Sequence, residues 1–265
     1  MTNYLFIDGS YFIFFRYFSV LNWFKLSHKE EEIKDPINNK EFVDKFKKTF
    51  LSKIREITQK LNINNPIILV GKDTSRQNIW RMKYLPSYKE TRDYSNFNGG
   101  PFFKMVYDEC LFNQAGAHMI LKYDKLEADD VIAITTKHIL ETRKDANIYI
   151  ITSDMDYLQL QGERVKLFNL KYKSLLESKN CQKNAELDLF IKIVTGDKSD
   201  NIKPVFKKCG PKTAIKLFNN PDVFREKLEK EDGKIQYELN KLLIDFNNIP
   251  KKLVDGFKKD VLLIK

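Results

Sequence analysis

The amino-acid sequence predicts an α/β fold, a mainly parallel central sheet flanked by helices, followed by a helical region. Short apolar runs of strand length alternate with longer segments of helical periodicity as far as residue 169. Strands that are separated by helices in this way pair in parallel within one sheet. From residue 185 onward the pattern is mostly helical. We therefore expect an α/β core over residues 1–184 and a helical C-terminal region over residues 185–265.

The first elements follow from short apolar runs and from helical spacing. Residues 4–8 form a buried strand that ends in a carboxylate. An aromatic-rich helix follows, and Ser10 is its expected N-cap. Residues 25–40 are polar and charged, so we expect a loop there. Phenylalanine and isoleucine recur at helical spacing over residues 41–61, and residues 66–71 are a second buried strand.

The rest of the core continues the same alternation. Residues 74–100 are rich in Arg, Lys, Tyr, Asn and Gly, and we expect them to be mobile or to order on a partner. Sites in such sheets form where the carboxyl ends of the strands meet. The remaining predicted elements are helices over 102–114 and 127–143 and strands over 118–121, 147–152 and 165–169.

Composition and charge restrict the class of function. The 265 residues carry 46 Lys+Arg against 36 Asp+Glu, a formal net charge of +10, which favours a polyanionic partner such as nucleic acid. A hydrophobic share of 42% excludes general disorder, and the apolar stretches are too short to cross a bilayer. Three widely spaced cysteines argue against a disulfide framework and a zinc site. We expect a cytoplasmic monomer.

Acidic residues lie in tight groups after predicted strands and at a helix start. Each group has a structural alternative, because such aspartates often cap loops and acids at a helix start complement its dipole. If they converge, several could not stay ionised without a cation, and Mg²⁺ prefers carboxylate ligands. Two cations roughly 4 Å apart could activate a water and stabilise the leaving oxygen of a phosphodiester. The nine candidate ligands are Asp8, Asp73, Glu127, Asp129, Asp130, Asp154, Asp156, Asp197 and Asp200.

Two basic segments accompany the acids. Residues 76–92 interleave cations with aromatic rings, and cations neutralise phosphates while rings stack on bases. The alternative is a solvated loop whose aromatic rings pack on the core. Residues 201–218 hold five lysines and no acid, with a turn before a helix N-terminus that could bind phosphate. The candidate nucleic-acid contacts are Arg76, Arg81, Lys83, Lys89, Arg92, Lys203, Lys207, Lys208, Gly210, Lys212, Thr213 and Lys216.

Seven motifs in order resemble the flap endonuclease and 5′→3′ exonuclease superfamily, in its bacterial and phage branch, and most of all the phage ribonuclease H type. The resemblance extends over about residues 4–250 and implies a 5′-nuclease, PIN-like core. It also implies a helical arch over about residues 76–105 and a helix–hairpin–helix element over about 200–218. The motifs are IDG at 7–9, Asp73, LPSYKETR at 85–92, EADD at 127–130, TSDMD at 152–156, GDKSDN at 196–201 and GPKTA at 210–214.

The resemblance assigns roles to the candidate residues. Lys89 and Arg92 match the basic residues at the base of the arch that contact the scissile phosphate. The hairpin at 204–210, PVFKKCG, has one glycine where the family has a glycine-rich turn, so the grip on duplex would depend more on lysine side chains. The resemblance implies two Mg²⁺ ions, for which Mn²⁺ can substitute. The first metal cluster would comprise Asp8, Asp73, Glu127, Asp129 and Asp130, and the second Asp154, Asp156, Asp197 and Asp200.

The function implied is that of a structure-specific, divalent-metal-dependent 5′ nuclease. It would hydrolyse phosphodiesters in branched or nicked DNA and in RNA–DNA duplexes during replication, as in RNA primer or flap removal. The partners expected are a duplex with a 5′ single strand and other replication proteins, in a phage- or virus-infected cell. Two alternatives stay open, a PIN-type ribonuclease and a non-catalytic module that binds branched DNA.

Overall fold

A parallel five-stranded sheet forms the centre of the computed structural model, which describes residues 1–29, 33–93 and 97–262. The strand order is β3-β2-β1-β4-β5, so the first strand lies in the middle, as expected for a sheet built from crossover connections. In the register of β1 and β2, Asp8 is opposite Gly71. This confirms the predicted parallel sheet. The strands are β1 (Thr2–Asp8), β2 (Ile67–Gly71), β3 (Met119–Leu121), β4 (Ala146–Ile151) and β5 (Val165–Phe168).

Helices cover both faces of the sheet. Alternate residues of β1 point to opposite faces, so Leu5 and Ile7 pack on one side and Tyr4 and Phe6 on the other. The first side is a phenylalanine-rich layer of the helices α1 to α4, and the second side contains α5. These helices are α1 (Gly9–Ser27), α2 (Lys40–Lys60), α3 (Gly100–Asp108), α4 (Leu111–Gln114) and α5 (Ala128–Thr142).

The C-terminal region is helical, as predicted. Its last part returns to the α/β core, because Phe246, Ile249 and Phe257 belong to the same buried cluster as Tyr4 and Phe6. No helix among the described residues is long and apolar enough to cross a membrane. The helices are α6 (Ala185–Thr195), α7 (Pro211–Phe218), α8 (Pro221–Lys230), α9 (Lys234–Ile244) and α10 (Lys251–Phe257), which a π-helical turn over Lys258–Leu262 follows.

Three predicted boundaries are wrong. Ser10 is not the N-cap of α1, since the helix begins at Gly9 and the Asp8 side chain accepts a hydrogen bond from the Tyr11 backbone N–H. The predicted loop over residues 25–40 is shorter, because α1 continues to Ser27 and α2 begins at Lys40; residues 30–32 of that prediction lie outside the described part. The predicted helix over 102–114 is interrupted at Cys110, whose φ of 54° cannot continue a right-handed helix.

The segment over residues 76–105 differs most from its prediction. Its described residues form two short 3₁₀ helices, Arg76–Asn78 and Trp80–Lys83, then turns and the start of α3, so the expected helical arch is helical only in short pieces. Trp80 and Tyr88 are buried and hold the segment against the body of the protein. The alternative, aromatic rings packed on the core, is confirmed for these two rings, and mobility or ordering on a partner stays a prediction for the segment. Residues 94–96 lie outside the description.

Candidate active site

The carboxyl ends of the central strands carry the first acidic residues. Asp8 ends β1, Asp73 lies two residues beyond β2, and Asp154 lies three residues beyond β4. Because the strands are parallel, these ends meet at one edge, where a cavity of about 240 Å³ opens. The cavity is lined by Asp8, Ser10, Tyr11, Phe14, Asp73, Lys89, Arg92, Glu127, Ala128, Asp129, Thr152, Ser153 and Asp154.

One group of carboxylates stands at the start of α5. Carboxylate oxygens of Glu127, Asp129 and Asp130 lie within 4.8 Å of one another. Glu127 is the N-cap of α5 and Asp130 returns to accept a hydrogen bond from its backbone N–H at 3.1 Å, so the two form a capping box. The ordinary geometry of a helix start thus brings these acids together beside the ends of β1 and β2.

A second group comes from more distant parts of the chain. Asp156 follows β4, whereas Asp197 and Asp200 follow α6, yet oxygens of all three lie within 4.8 Å of one another. The buried Tyr88 hydroxyl links the two groups, donating to Asp200 Oδ2 at 2.9 Å and lying 3.2 Å from Glu127 Oε2. The structure therefore brings all nine predicted carboxylates to one region. Asp154, predicted with the second group, lines the cavity with Asp8 and Asp73.

Lys89 lies between the two groups, and Arg92 pairs with the second group. Lys89 Nζ is 2.5 Å from Glu127 Oε1 and 3.9 Å from Asp200 Oδ2, and an Arg92 nitrogen is 2.6 Å from Asp200 Oδ1. Both cations also line the cavity, so a phosphate that enters it would meet them together with the acids. Their role toward a scissile phosphate stays a prediction.

Arg81 has a different role from the one predicted. Its side chain is buried, and its guanidinium donates to Glu127 Oε2 and to both oxygens of Asp130, each at 2.8 Å. The prediction that Arg81 contacts nucleic acid is therefore wrong, because all its donors face inward. Asp130 accepts four hydrogen bonds among the described residues, including one from Trp80 Nε1 at 2.9 Å. One of the four comes from the Glu127 backbone N–H, so Asp130 fixes the position of Glu127. Its role as a metal ligand stays a prediction.

Lys192 is the main residue of the site that the sequence analysis missed. Its Nζ lies 2.8 Å from Asp156 Oδ1 and 2.6 Å from Asp197 Oδ2, inside the second group. It belongs to the last turn of α6, where a lysine is ordinarily explained by the helix dipole, so no separate signal marks it in the sequence. Two hydroxyl groups of the site were also missed: Ser10 donates to Asp73, and Thr152 donates to Asp8.

The acids of the site divide into those whose pKa is raised by burial and mutual repulsion and those whose pKa is lowered by a neighbouring cation. Burial, followed by the neighbouring Asp73, raises the pKa of Asp8 to about 7, and burial with Asp154 raises the pKa of Asp156 to about 7. Burial and Asp130 also raise the pKa of Asp129 well above its usual range. Burial also acts on Glu127, but Lys89 and Arg81 outweigh it and lower the pKa. The site holds more negative charge than its own cations balance.

The chemistry of the donors fits hard divalent cations. Both groups offer carboxylate oxygens, the ligands that Mg²⁺, Mn²⁺ and Ca²⁺ prefer. The histidines lie elsewhere: His28 pairs with Glu41, and His118 accepts a hydrogen bond from the Ile68 backbone at the far end of β2. An excess of buried, partly protonated carboxylates is what a bound cation would stabilise.

The second basic segment forms a separate surface. Its five lysines are all exposed, and Gly210 is the N-cap of α7. Helices α6 and α7 flank a loop in which Gly196 has a φ of 69°. Arg76 and Lys83 are also exposed, so they stay candidates for nucleic-acid contact. The candidates of the second basic segment likewise stay predictions; they are Lys203, Lys207, Lys208, Gly210, Lys212, Thr213 and Lys216.

Comparison with known proteins identifies the family. The model of the 5′-3′ exonuclease, N-terminal resolvase-like domain, matches residues 3–186. The chain belongs to this 5′-3′ exonuclease family. The superfamily resemblance inferred from the motifs is thereby confirmed.

Curated members of this family differ in length. Ribonuclease H of Enterobacteria phage T4 is 28% identical over 207 residues, which cover 69% of this chain and 66% of the phage protein. The 5′-3′ exonuclease of Buchnera aphidicola is 27% identical over 84% of this chain and 73% of its own length. DNA polymerase I of Borreliella burgdorferi is 28% identical over 86% of this chain, but that match spans only 25% of the polymerase.

Solved structures show the same fold. A phage T5 5′-exonuclease with bound zinc ions has a TM-score of 0.67 at 20% identity and covers 99% of both chains. A phage T5 flap endonuclease in a complex with DNA and metal ions also has a TM-score of 0.67, at 19% identity, over 99% of this chain and 98% of its own. The family fold thus extends through the C-terminal helices.

Proposed function

We propose that this protein is a structure-specific, divalent-metal-dependent 5′ nuclease. The observation that carries the proposal is the pair of carboxylate groups at the strand ends, with Lys89 between them and Arg92 paired with the second group. Relatives named ribonuclease H and 5′-3′ exonuclease support the same reaction, the hydrolysis of a phosphodiester. We infer that the substrates are branched or nicked DNA and RNA–DNA duplexes with a 5′ single strand, processed during replication.

The side chains of the site divide the work. The nine carboxylates would hold two divalent cations, Mg²⁺ or in its place Mn²⁺, which when bound supply a water activated for attack and charge stabilisation for the leaving oxygen. Lys89 and Arg92 would bind the scissile phosphate and offset the charge that develops on its oxygens. Arg81, Trp80 and Tyr88 hold Glu127 and Asp130 in place from the buried side.

The basic surface would position the duplex. Phosphate contacts carry no sequence information, so the lysines of residues 201–218 favour recognition of shape rather than of base sequence. We infer that these residues act as the helix–hairpin–helix element, that residues 185–265 form the duplex-binding region, and that residues 1–184 form the nuclease core. Partner replication proteins remain part of this proposal.

A cleavage assay tests the proposed function. The substrates are a labelled 5′ flap, a 3′ flap and single-stranded RNA, each incubated with Mg²⁺ or with EDTA. We expect cleavage of the 5′ flap near its junction, in Mg²⁺ only. Preference for free RNA would support a PIN-type ribonuclease, and tight binding of the flap without cleavage would support a non-catalytic module.

The substitution Asp156→Asn tests the assignment of the site. Loss of one charge in the second group should lower the rate of cleavage at least about a hundredfold, because this electrostatic stabilisation acts in the transition state. Binding of the flap, measured by fluorescence anisotropy in EDTA, should change little. Asp44→Asn, at an exposed carboxylate of α2 outside the proposed duplex-binding region, is the matched control. Full Mg²⁺-dependent cleavage by Asp156→Asn would refute the site.

A further inference from the structure

A groove behind the acidic centre is not explained by the proposed reaction. It lies between residues 77–84 and the start of α10 and has a volume of about 460 Å³. Its apolar lining includes Ile79, Trp80, Met82 and Leu253, the amides Gln77 and Asn78 also line it, and among its lining residues in the described part of the chain there is no carboxylate. The groove is large enough for one or two apolar side chains of another molecule.

Three lysines surround this apolar groove. Lys83, Lys125 and Lys252 line it and are exposed to solvent. None of the ion pairs between described residues includes any of them. The cations of the acidic centre, Lys89 and Lys192, are by contrast both held by carboxylates. The lysines of the groove are therefore available to carboxylates of a second molecule.

The walls of the groove favour a protein segment over nucleic acid. Only 5% of Trp80 is exposed, and the Arg81 guanidinium lies 4.6 Å from the centre of its ring, so the ring is closed to base stacking. Tyr84, 41% exposed, is the open ring of the lining. The rest of the apolar lining is aliphatic or thioether, a surface suited to leucine-, isoleucine- or phenylalanine-like groups, and comprises Ile79, Met82, Pro250 and Leu253. We propose that the groove docks an acidic peptide segment of a partner protein, with an apolar residue inserted and flanking carboxylates on the three lysines.

A partner docked in the groove would contact a residue that holds the first carboxylate group in place. Trp80 is a lining residue of the groove and donates from its indole nitrogen to Asp130, which accepts a hydrogen bond from the Glu127 backbone N–H. A partner bound in the groove would thus rest on the residues that position the first carboxylate group. The proposal concerns a surface outside the cavity and stands whether or not the chain cleaves nucleic acid.

Selection from a random peptide display library on the full chain tests the proposal. We expect enrichment of peptides in which at least two acidic residues flank an apolar one. Their Kd, measured by fluorescence polarisation, should rise at least about tenfold in Lys125→Glu/Lys252→Glu, since like charges then oppose the peptide. The control Lys48→Glu/Lys60→Glu has the same net charge and places both changes on exposed positions of α2; it should bind the peptides like the unchanged protein.

Three results would overturn the proposal. These are the absence of any enriched acidic motif, enrichment of peptides without acids, and peptide binding that Lys125→Glu/Lys252→Glu leaves unchanged. A single-stranded DNA probe decides between protein and nucleic acid. Its affinity should fall equally in the groove variant and the control, because both lose the same charge. A loss at least tenfold greater in the groove variant would assign the groove to nucleic acid instead.

Discussion

Individual cations hold the acidic centre together. Arg81, Lys89, Arg92 and Lys192 each lie within ion-pair distance of one or two carboxylates. Lys192 is the most informative, because its Nζ lies between Asp156 and Asp197, where the second group could bind a cation. Burial opposes its charge, but Asp156 and Asp197 outweigh burial and raise the pKa of the Lys192 ammonium. We interpret it as an internal counter-ion that competes with the metal.

Lys192→Met tests this interpretation. Removal of the ammonium leaves two facing carboxylates unpaired, so the free energy of unfolding in EDTA should fall by roughly 3 kcal/mol, as for a broken buried ion pair. The same change should tighten Mg²⁺ binding about tenfold, measured by calorimetry. In the variant, Mg²⁺ no longer has to displace the Lys192 ammonium from the carboxylates.

Lys198→Met is the control for that experiment. Lys198 follows Asp197 in the chain but is exposed, so its loss should leave both stability and Mg²⁺ affinity unchanged. Weaker Mg²⁺ binding by Lys192→Met would show that the lysine assists the metal rather than competes with it.

At the scale of elements, the turn from β1 into α1 places Asp8. Gly9 lies so close to β2 that a Cβ there would be 2.6 Å from the Gly71 carbonyl oxygen and 2.8 Å from the Tyr107 hydroxyl. The Gly71 carbonyl belongs to β2, which is paired with β1, so it cannot move away from an added Cβ without breaking the pairing. The motif IDG therefore has a steric reason as well as a chemical one, since only glycine lets β1 and α1 pack this closely on β2.

Gly9→Ala should therefore destabilise the protein. Overpacking of this kind lowers the free energy of unfolding by about 1–3 kcal/mol, which urea denaturation would measure. The displaced Asp8 should also lower the rate of Mg²⁺-dependent cleavage. Gly162→Ala is the control, since a Cβ at that position meets no atom within 4 Å. Equal stability of the two variants would contradict the steric argument.

The segment over residues 76–92 shows where element-level prediction fails. Cations and aromatic rings alternate along it, a pattern typical of nucleic-acid binding. In the structure Arg81 and Tyr88 turn inward onto Glu127, while Lys83 and Tyr84 stay exposed. Local sequence does not distinguish these positions, because the difference depends on acids that come more than thirty residues later in the chain.

For the molecule as a whole, the excess of buried acid makes stability depend on pH. The folded-state pKa of Asp8 and of Asp156 is about 7, against 3.8 without the fold. Between these values the folded protein keeps protons that the unfolded chain has released. Stability without metal should therefore fall as pH rises from about 4 to about 7.

Thermal unfolding at pH 5 and pH 8, in EDTA and in Mg²⁺, checks this prediction. The gain in Tm from Mg²⁺ should be larger at pH 8, where the cation meets ionised carboxylates instead of competing with protons. Burial lowers the pKa of His138, so His138 makes stability rise with pH. This contribution is the same in EDTA and in Mg²⁺ and cancels when the Tm gains from Mg²⁺ are compared. A larger gain at pH 5 would contradict the prediction.

The distribution of charge over the molecule predicts how DNA binding responds to salt. A net charge of +10 already includes the clustered acids, so the remaining surface is more basic than that value indicates. Affinity for a flap substrate should fall steeply with salt, and a flat response would count against the basic surface. Lys207→Gln/Lys208→Gln/Lys212→Gln should reduce the slope of log K against log salt by about 3, one for each phosphate contact, whereas Lys60→Gln should not change it.

The sequence by itself determined the sheet and the position of its acids. Apolar runs separated by helical segments favour crossover-connected parallel strands, and parallel strands bring Asp8, Asp73 and Asp154 to one edge. The helix start at Glu127 is equally local, because a capping box is encoded within four residues. These features depend on short-range patterns and on the handedness of chain connections, which a single sequence displays.

Only the tertiary structure decided which cations belong to the site. Arg81 is buried against Glu127 and Asp130, Lys192 lies between Asp156 and Asp197, and Tyr88 links the two carboxylate groups. These partners are far apart in the chain or have an ordinary local explanation, so no periodicity marks them. Buried charges are stable only when paired, and that pairing is settled by which side chains meet after the helices have packed on the sheet.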